Sequence, residues 1–192
     1  MGVIFNLLVT CQKKMNTKLL RQKILDLAIR GKLVPQDPND EPASILLEKI
    51  KAEKERLIKE KKIKPSKKKS VDKSHYGKEV PFEVPDNWEW VKISDIAISI
   101  QYGYTGKAIS NGKYKMLRIT DIQNNYVDWS SVPFVEIDDD KADNYLLYDG
   151  DILFARTGAS VGKSYLHQKE NGKIYFAGFL IRFTIKNANP YF

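Results

Sequence analysis

The sequence has one cysteine, two widely separated histidines and no long hydrophobic run. Cys11 alone forms no internal disulfide, and with only His75 and His167 beside it the chain has too few ligands for a Cys/His metal site. The apolar stretch Val3 to Val9 (VIFNLLV) is followed, not preceded, by Lys13 and Lys14. A span needs roughly 20 apolar residues and a secretory signal carries its charge in front, so this stretch is neither. Residues 1–15 are expected to be a disordered leader, with Met15 as an alternative start. The chain reads as cytoplasmic, with no metal and no cofactor.

What is present is an ordinary core-forming composition: of 192 residues, 42% are apolar and 29% charged, which is too apolar for a disordered chain. The length suggests one domain with an appendage. Lys plus Arg exceeds Asp plus Glu by 32 to 24, a surplus of +8 that suits a polyanionic partner. Its placement matters more than its size. Residues 1–47 carry +3, 48–85 carry +6 and 86–192 carry −1, so the stretch expected to be globular is nearly neutral.

From Asn16 the pattern is helical. Leu20, Ile24, Leu27 and Ala28 fall on one face, Leu19 and Ile29 widen it, and Asn16 or Thr17 caps the start. Gly31 supplies a left-handed end, and Pro35 and Pro38 forbid continuation. A second helix is expected from near Pro42 to about Lys62, with Ala43, Leu47, Ile50, Lys54, Leu57 and Lys61 on a four-three seam. The two lysines thin the apolar strip, and both helices want a partner. Leu20, Ile24, Leu27, Leu47, Ile50 and Leu57 are the expected docking positions.

Residues 63–84 hold Pro, Ser, Gly and the run Lys67, Lys68, Lys69, which reads as a basic linker; the lysines are either a solvated tether or a site. From Pro85 (PDNWEW) the composition changes. Tyr114 to Thr120, Asp151 to Ala155, Ser160 to Leu166 and Tyr175 to Ile185 read as strands, with short helices at Ile93 to Ile98 and near Asp140 to Leu146. Trp88 and Trp90 are expected in the core.

Three patterns resemble catalytic motifs and fail on their mechanics. GASVGKS (158–164) has Thr157 where a phosphate-binding loop needs Gly, and no long helix follows Lys163. Phe176-Ala177-Gly178 and Asn189-Pro190 are too close together for the strand-helix units of an adenine methyltransferase, so a buried strand and a turn are expected there. Asp138, Asp139 and Asp140, and Asp149 with Asp151, have no His, Cys or Ser-His arrangement nearby; Asp149-Gly150-Asp151 is expected to be a tight turn.

The stretches at 19–64 (LLRQKILDLAIRGKLVPQDP onward), 85–97 (PDNWEWVKISDIA), 117–123 (LRITDIQ), 150–166 (GDILFARTGASVGKSYL) and 176–183 (FAGFLIRF), in that order, resemble type I restriction-modification specificity subunits. The resemblance covers residues 16–192. It implies a DNA-reading subunit without catalysis, in which helices space the target recognition domains and dock methyltransferase subunits, while ATP-driven translocation and cleavage belong to a separate restriction subunit. A complete member has two recognition domains, whereas this chain has one. The implied fold is α+β: a coiled-coil-type helical arm over 16–62, a linker over 63–84, and a mostly β target recognition domain over 85–192 that stops before the family domain would.

Reading sequence takes side chains that reach base edges and cations on flanking phosphates. Candidates for contact with double-stranded DNA fall in three clusters: Tyr102, Tyr104, Thr105 and Lys107; Arg118, Thr120 and Gln123; and Arg156, Thr157, Ser160 and Lys163. The plainer alternative is structural: Gly158 and Gly162 shape a turn, while Arg118 and Arg156 pair with Asp121 or Asp151. Two functions stay open. One is a specificity module; the other is a non-reading fragment whose helical arm docks a protein or a second copy of the chain. Nucleotide hydrolysis is a distant third.

Overall fold

The computed structural model describes residues 16–63, 80–169 and 172–191. The expected leader over 1–15 and most of the expected linker, including Lys67, Lys68 and Lys69, lie outside the described residues.

Local chemistry sets the first helix, α1 (Thr17–Ile29). The Asn16 side chain accepts from the Leu19 N–H at 3.1 Å, satisfying one of the open donors of the first turn. At the other end Gly31 takes φ +64°, its N–H bonds the Ala28 carbonyl at 3.0 Å, and the Lys32 N–H bonds the Leu27 carbonyl at 2.8 Å. This is a Schellman ending, and Gly31 is required twice over, because a Cβ there would lie 2.5 Å from Pro85 Cγ. Helix α2 (Ala43–Lys59) begins one residue after Pro42. It stops short of the expected Lys62: Lys61 adopts φ 55°, and the Lys62 N–H bonds the Leu57 carbonyl at 2.9 Å, the same kind of ending without a glycine.

The described residues divide into two compact units, 16–45 with 80–90 and 46–63 with 91–191. The division cuts α2, so it departs from the boundaries read from composition. In the first unit Trp88 and Trp90 are not core residues, contrary to expectation, being 39% and 44% exposed. Their indole N–H groups explain the positions: Trp88 donates to Gln36 Oε1 and Trp90 to the Phe82 carbonyl, both at 3.0 Å, which keeps one edge of each ring at the surface.

The second unit takes in most of α2, followed by α3 (Ile93–Ile96), β1 (Ala97–Tyr102), β2 (Ala108–Ile109), β3 (Tyr114–Leu117), β4 (Ile122–Gln123), β5 (Tyr126–Val127), β6 (Phe134–Val135), α4 (Asp139–Ala142), β7 (Ile152–Ala155), β8 (Ser164–Leu166), β9 (Ile174–Phe176) and β10 (Leu180–Ile185). An antiparallel sheet runs β1-β10-β7-β8, a second runs β2-β6-β3-β9 with β3 and β9 parallel, and β4 and β5 form a hairpin. The fold is mixed α+β. The expected strand from Tyr175 to Ile185 is in fact two strands of different sheets, separated by the turn 177–179, and β1 covers residues read as helix and loop.

The β2-β6-β3-β9 sheet is buried on both faces. Leu117 and Phe176 join Leu153, Tyr165 and Leu180 in one core, while their chain neighbours Met116 and Tyr175 face a second core with Tyr114, Val135 and Ala142. Successive strand residues point to opposite faces, so strands packed on both sides read as continuous apolar runs. In the same unit α2 buries Ile50 and Leu57, and Lys54 Nζ donates to the carbonyls of Ser94 and Asp95 at 2.8 and 3.0 Å. The lysine on the seam thus satisfies carbonyls of α3 that have no helical partner. Among the described residues no helix is long and apolar enough to cross a membrane.

Candidate nucleic-acid interface

Strand register brings the sequence clusters to one end of the β-rich unit. Tyr102 at the end of β1 pairs with Ile181, and Ala155 at the end of β7 pairs with Leu180 at the start of β10. The segments after β1, after β7 and before β10 therefore leave the sheet at the same end. The segment after β3 joins them, because Leu117 pairs with Phe176 and its carbonyl accepts from the Ala177 N–H at 2.9 Å.

Two contacts stitch the three clusters into one surface. The Arg156 guanidinium lies over the Tyr102 ring, 4.6 Å from its centroid, joining the first cluster to the third. Lys163 Nζ donates to the Ile122 carbonyl at 2.6 Å, joining the third to the β4–β5 hairpin that carries Gln123. Thr105, Lys107, Thr120, Gln123, Arg156 and Thr157 are exposed, and Ser160 is half-buried. Arg156 and Lys163 lie at this end, and the acid of the segment after β3, Asp121, is taken up by Arg118, so these two cations stand without an unpaired acid on these loops. Lys107 lies apart: it precedes Ala108, whose partner Val135 also pairs with Tyr114 at the start of β3, towards the other end of that sheet. Cations at one end of a nearly neutral unit draw polyanions there.

Some candidates serve the fold instead. Tyr104 is half-buried, forms a bridge with Ala177 and packs on Tyr145 with ring centroids 5.2 Å apart, so its ring is spent on the core. Arg118 is committed to Asp121: Nη2 to Oδ1 is 2.7 Å, Nε to Oδ2 is 3.1 Å, and the Arg118 N–H also donates to Oδ2. Hydrogen bonding to Asp121 pushes the guanidinium pKa up from its already high value. This fork closes the turn at 118–121. Asp151, considered as a partner for Arg156, faces Arg182 at 3.7 Å and accepts from Thr184 Oγ1 at 2.6 Å. Gly158 and Gly162 take φ +75° and +86° in the β7–β8 loop, where an added Cβ would meet nothing within 4 Å, so backbone conformation and not crowding calls for glycine.

The patterns that resembled catalytic motifs have plain places in the fold. Lys163 leads into β8, a strand, and not into a phosphate-binding helix. Phe176 closes the buried strand β9 and Ala177 begins a turn. Asp149-Gly150-Asp151 is a tight turn, with Gly150 at φ +84° and the Asp151 N–H bonded to the Tyr148 carbonyl at 3.0 Å. Asp138 pairs with Lys141 at 2.7 Å, and Asp139 accepts from the Tyr114 hydroxyl at 2.6 Å. Among the described residues no cluster of His, Cys, Asp and Glu has a metal-holding arrangement.

Sequence reasoning missed Phe179 and Val161, which are 60% and 64% exposed at the same end. Phe179 lay inside an apolar run read as a buried strand, so composition carried no sign of its exposure. A separate cleft of about 400 Å³ opens between Tyr126, Trp129, Tyr165, Leu166 and Tyr191.

The docking positions also separate. Ile50 and Leu57 are buried by the chain itself, because α2 packs in the β-rich unit, and Leu47 is half-buried. These two buried residues are not available to a partner. On α1 no residue is buried: Leu20 and Ile24 are exposed, as are Leu19, Leu25 and Ile29, and Leu27 is half-buried.

Over 179 residues, 86% of its length, the chain is 35% identical to the type I restriction enzyme EcoEI specificity subunit of Escherichia coli. Over 140 residues, 71% of its length, it is 38% identical to the type I restriction enzyme EcoAI specificity subunit of the same organism. It spans 29% and 23% of those two relatives. No protein-family model matches the chain.

Proposed function

We propose that this relative of type I restriction enzyme specificity subunits is a non-catalytic, sequence-reading module that binds double-stranded DNA with the loop end of its β-rich unit. The observation that carries the reading is the convergence of the segments after β1, β3 and β7 at one end of two sheets, with Arg156 and Lys163 on them and the acid Asp121 taken up by Arg118. Loops held by paired strands suit recognition, since phosphate contacts fix register while a few side chains read base edges. Thr105, Thr120, Gln123, Thr157 and Ser160 supply uncharged donors and acceptors beside the cations. In the assembled enzyme, methyltransferase subunits would be brought to the target through this module, with the restriction subunit reached through them.

Selection from a randomised duplex pool, followed by anisotropy titration, tests the reading. Arg156→Ala is expected to weaken binding to the selected duplex by about 1 to 3 kcal/mol if its guanidinium makes a close base contact. A chain that binds every duplex equally, with Arg156→Ala unchanged, overturns it.

The exposed apolar stripe of α1 favours a second reading for the helices. Leu20, Ile24 and their neighbours on α1 cover no core of their own unit, so a helix from a methyltransferase subunit or from a second copy would shelter them. Sedimentation at micromolar concentration is expected to show self-association that Ile24→Glu abolishes. A monomer throughout removes the self-association arm of this reading.

A further inference from the structure

Phe179 is an exposed aromatic on the turn between β9 and β10, and the backbone on either side of it is hydrogen-bonded. The Gly178 N–H bonds the Tyr104 carbonyl at 2.9 Å, the Leu180 N–H bonds the Ala177 carbonyl at 2.9 Å, and the Phe179 carbonyl accepts from the Arg156 N–H at 3.1 Å. Ala177 and Leu180 on either side are buried at 8% and 0% exposure, which anchors the turn in both cores. Close approach tightens it further. A Cβ on Gly103 would lie 2.2 Å from the Ala177 carbonyl oxygen, so the β1 loop lies flush against the turn. Phe179 is therefore exposed on a turn whose backbone is fixed by its neighbours.

An isolated exposed apolar residue needs no explanation. Phe179 is not isolated: its carbonyl is fixed to Arg156, whose guanidinium caps Tyr102, itself 59% exposed, and Val161 projects from the same β7–β8 loop. An apolar tip beside the Arg156 cation, on a turn without an acidic residue, fits a surface with an anionic edge and an apolar interior. Duplex DNA has that arrangement, with phosphates along the rim of each groove and base faces and thymine methyl groups inside.

We propose that Phe179 makes a direct apolar contact with a nucleobase beside the one reached by Arg156, and so sets preference at one or two base pairs. This rests on the DNA-reading function proposed above. A side chain presented by a pre-ordered turn loses little conformational freedom on binding, so its contact translates into discrimination.

The test uses the full chain and the duplex it selects from a randomised pool. Phe179→Ala is expected to reduce discrimination about 5- to 100-fold at one or two base pairs, as loss of one good base contact does, leaving affinity for unselected duplexes unchanged. Phe179→Tyr, which keeps the ring, is expected to retain the preference. Replacing thymine by uracil at the affected position separates the two forms of contact: loss with uracil marks the methyl group, and retention marks insertion against a base face. If the wild-type chain selects no sequence, the DNA-reading function fails and this inference with it. If the wild-type chain selects a sequence and Phe179→Ala selects the same one with equal discrimination, the inference alone is overturned.

Discussion

Arg182 and Asp151 are the clearest charges inside the molecule, at 7% and 1% exposure. Asp151 accepts from the Tyr148 N–H and the Thr184 hydroxyl, while Arg182 donates to the Leu146 and Asn144 carbonyls and to Gln101 Oε1. Together they fasten β10 to β1, to the turn before β7 and to the segment after α4. Burial lowers the Arg182 pKa from its ordinary value, and the nearby carboxylate opposes that shift. Asp151→Asn leaves a buried guanidinium without its counter-charge, which is expected to cost about 3 to 5 kcal/mol in chemical denaturation. Asp151→Asn combined with Arg182→Met is expected to recover part of that loss, and a single variant as stable as the parent would show that the carbonyls suffice. The sequence displayed both charges without indicating the pairing. Arg182 sits in the run FLIRF, where alternation alone assigns it a face, and only the antiparallel register with β1 and β7 places Asp151 and Gln101 beside it.

Elements were legible where local rules define them. The ends of α1 follow from Asn16 and Gly31, since a cap and a left-handed terminus involve only a few neighbouring residues. The split between β9 and β10 was not legible: hydrogen bonds to Leu117, Tyr104 and Arg156 make the turn 177–179, and all three are distant in sequence. The second half of α2 shows the same contrast. Its seam was readable, but its partner proved to be the β-rich unit instead of another helix. Glu53 illustrates the fastening, accepting from Arg56 at 2.7 Å and from Lys186 of the segment after β10 at 3.3 Å. Hydrogen bonding to Arg56, then to Lys186, lowers its carboxyl pKa from 4.5 to about 2. A carboxylate depressed in the folded state contributes stability that is fully present above its unfolded value and is lost as pH falls through the folded value. The stability difference between the parent and Glu53→Gln is therefore expected to be present at pH 6, to shrink below about 4.5 and to vanish near 2. Thermal unfolding across that range, with carboxyl resonances followed by NMR, checks it; a difference independent of pH would assign the contact no electrostatic role.

Over the whole molecule, the net +8 has two parts that act differently on a polyanion. Residues 1–85 hold +9, including Lys67, Lys68 and Lys69, whereas residues 86–192 total −1 yet place Arg156 and Lys163 at one end of the β1-β10-β7-β8 sheet. Total charge governs attraction at a distance, and only fixed side chains distinguish one base pair from another. The sequence sum displays only the first part, because a domain total near zero conceals cations at one end balanced by acids such as Asp138, Asp139 and Asp140 elsewhere. Replacing Lys67, Lys68 and Lys69 together by Ser separates the parts. Each lysine that neutralises a phosphate contributes about 0.9 to the slope of log affinity against log salt, so the triple variant is expected to flatten that slope by up to about 3. Affinity is expected to fall equally for selected and unselected duplexes, leaving their ratio intact. Titrations at several salt concentrations read both quantities, and a ratio that collapses in the variant would move sequence recognition from the loop end of the β-rich unit to the lysine run.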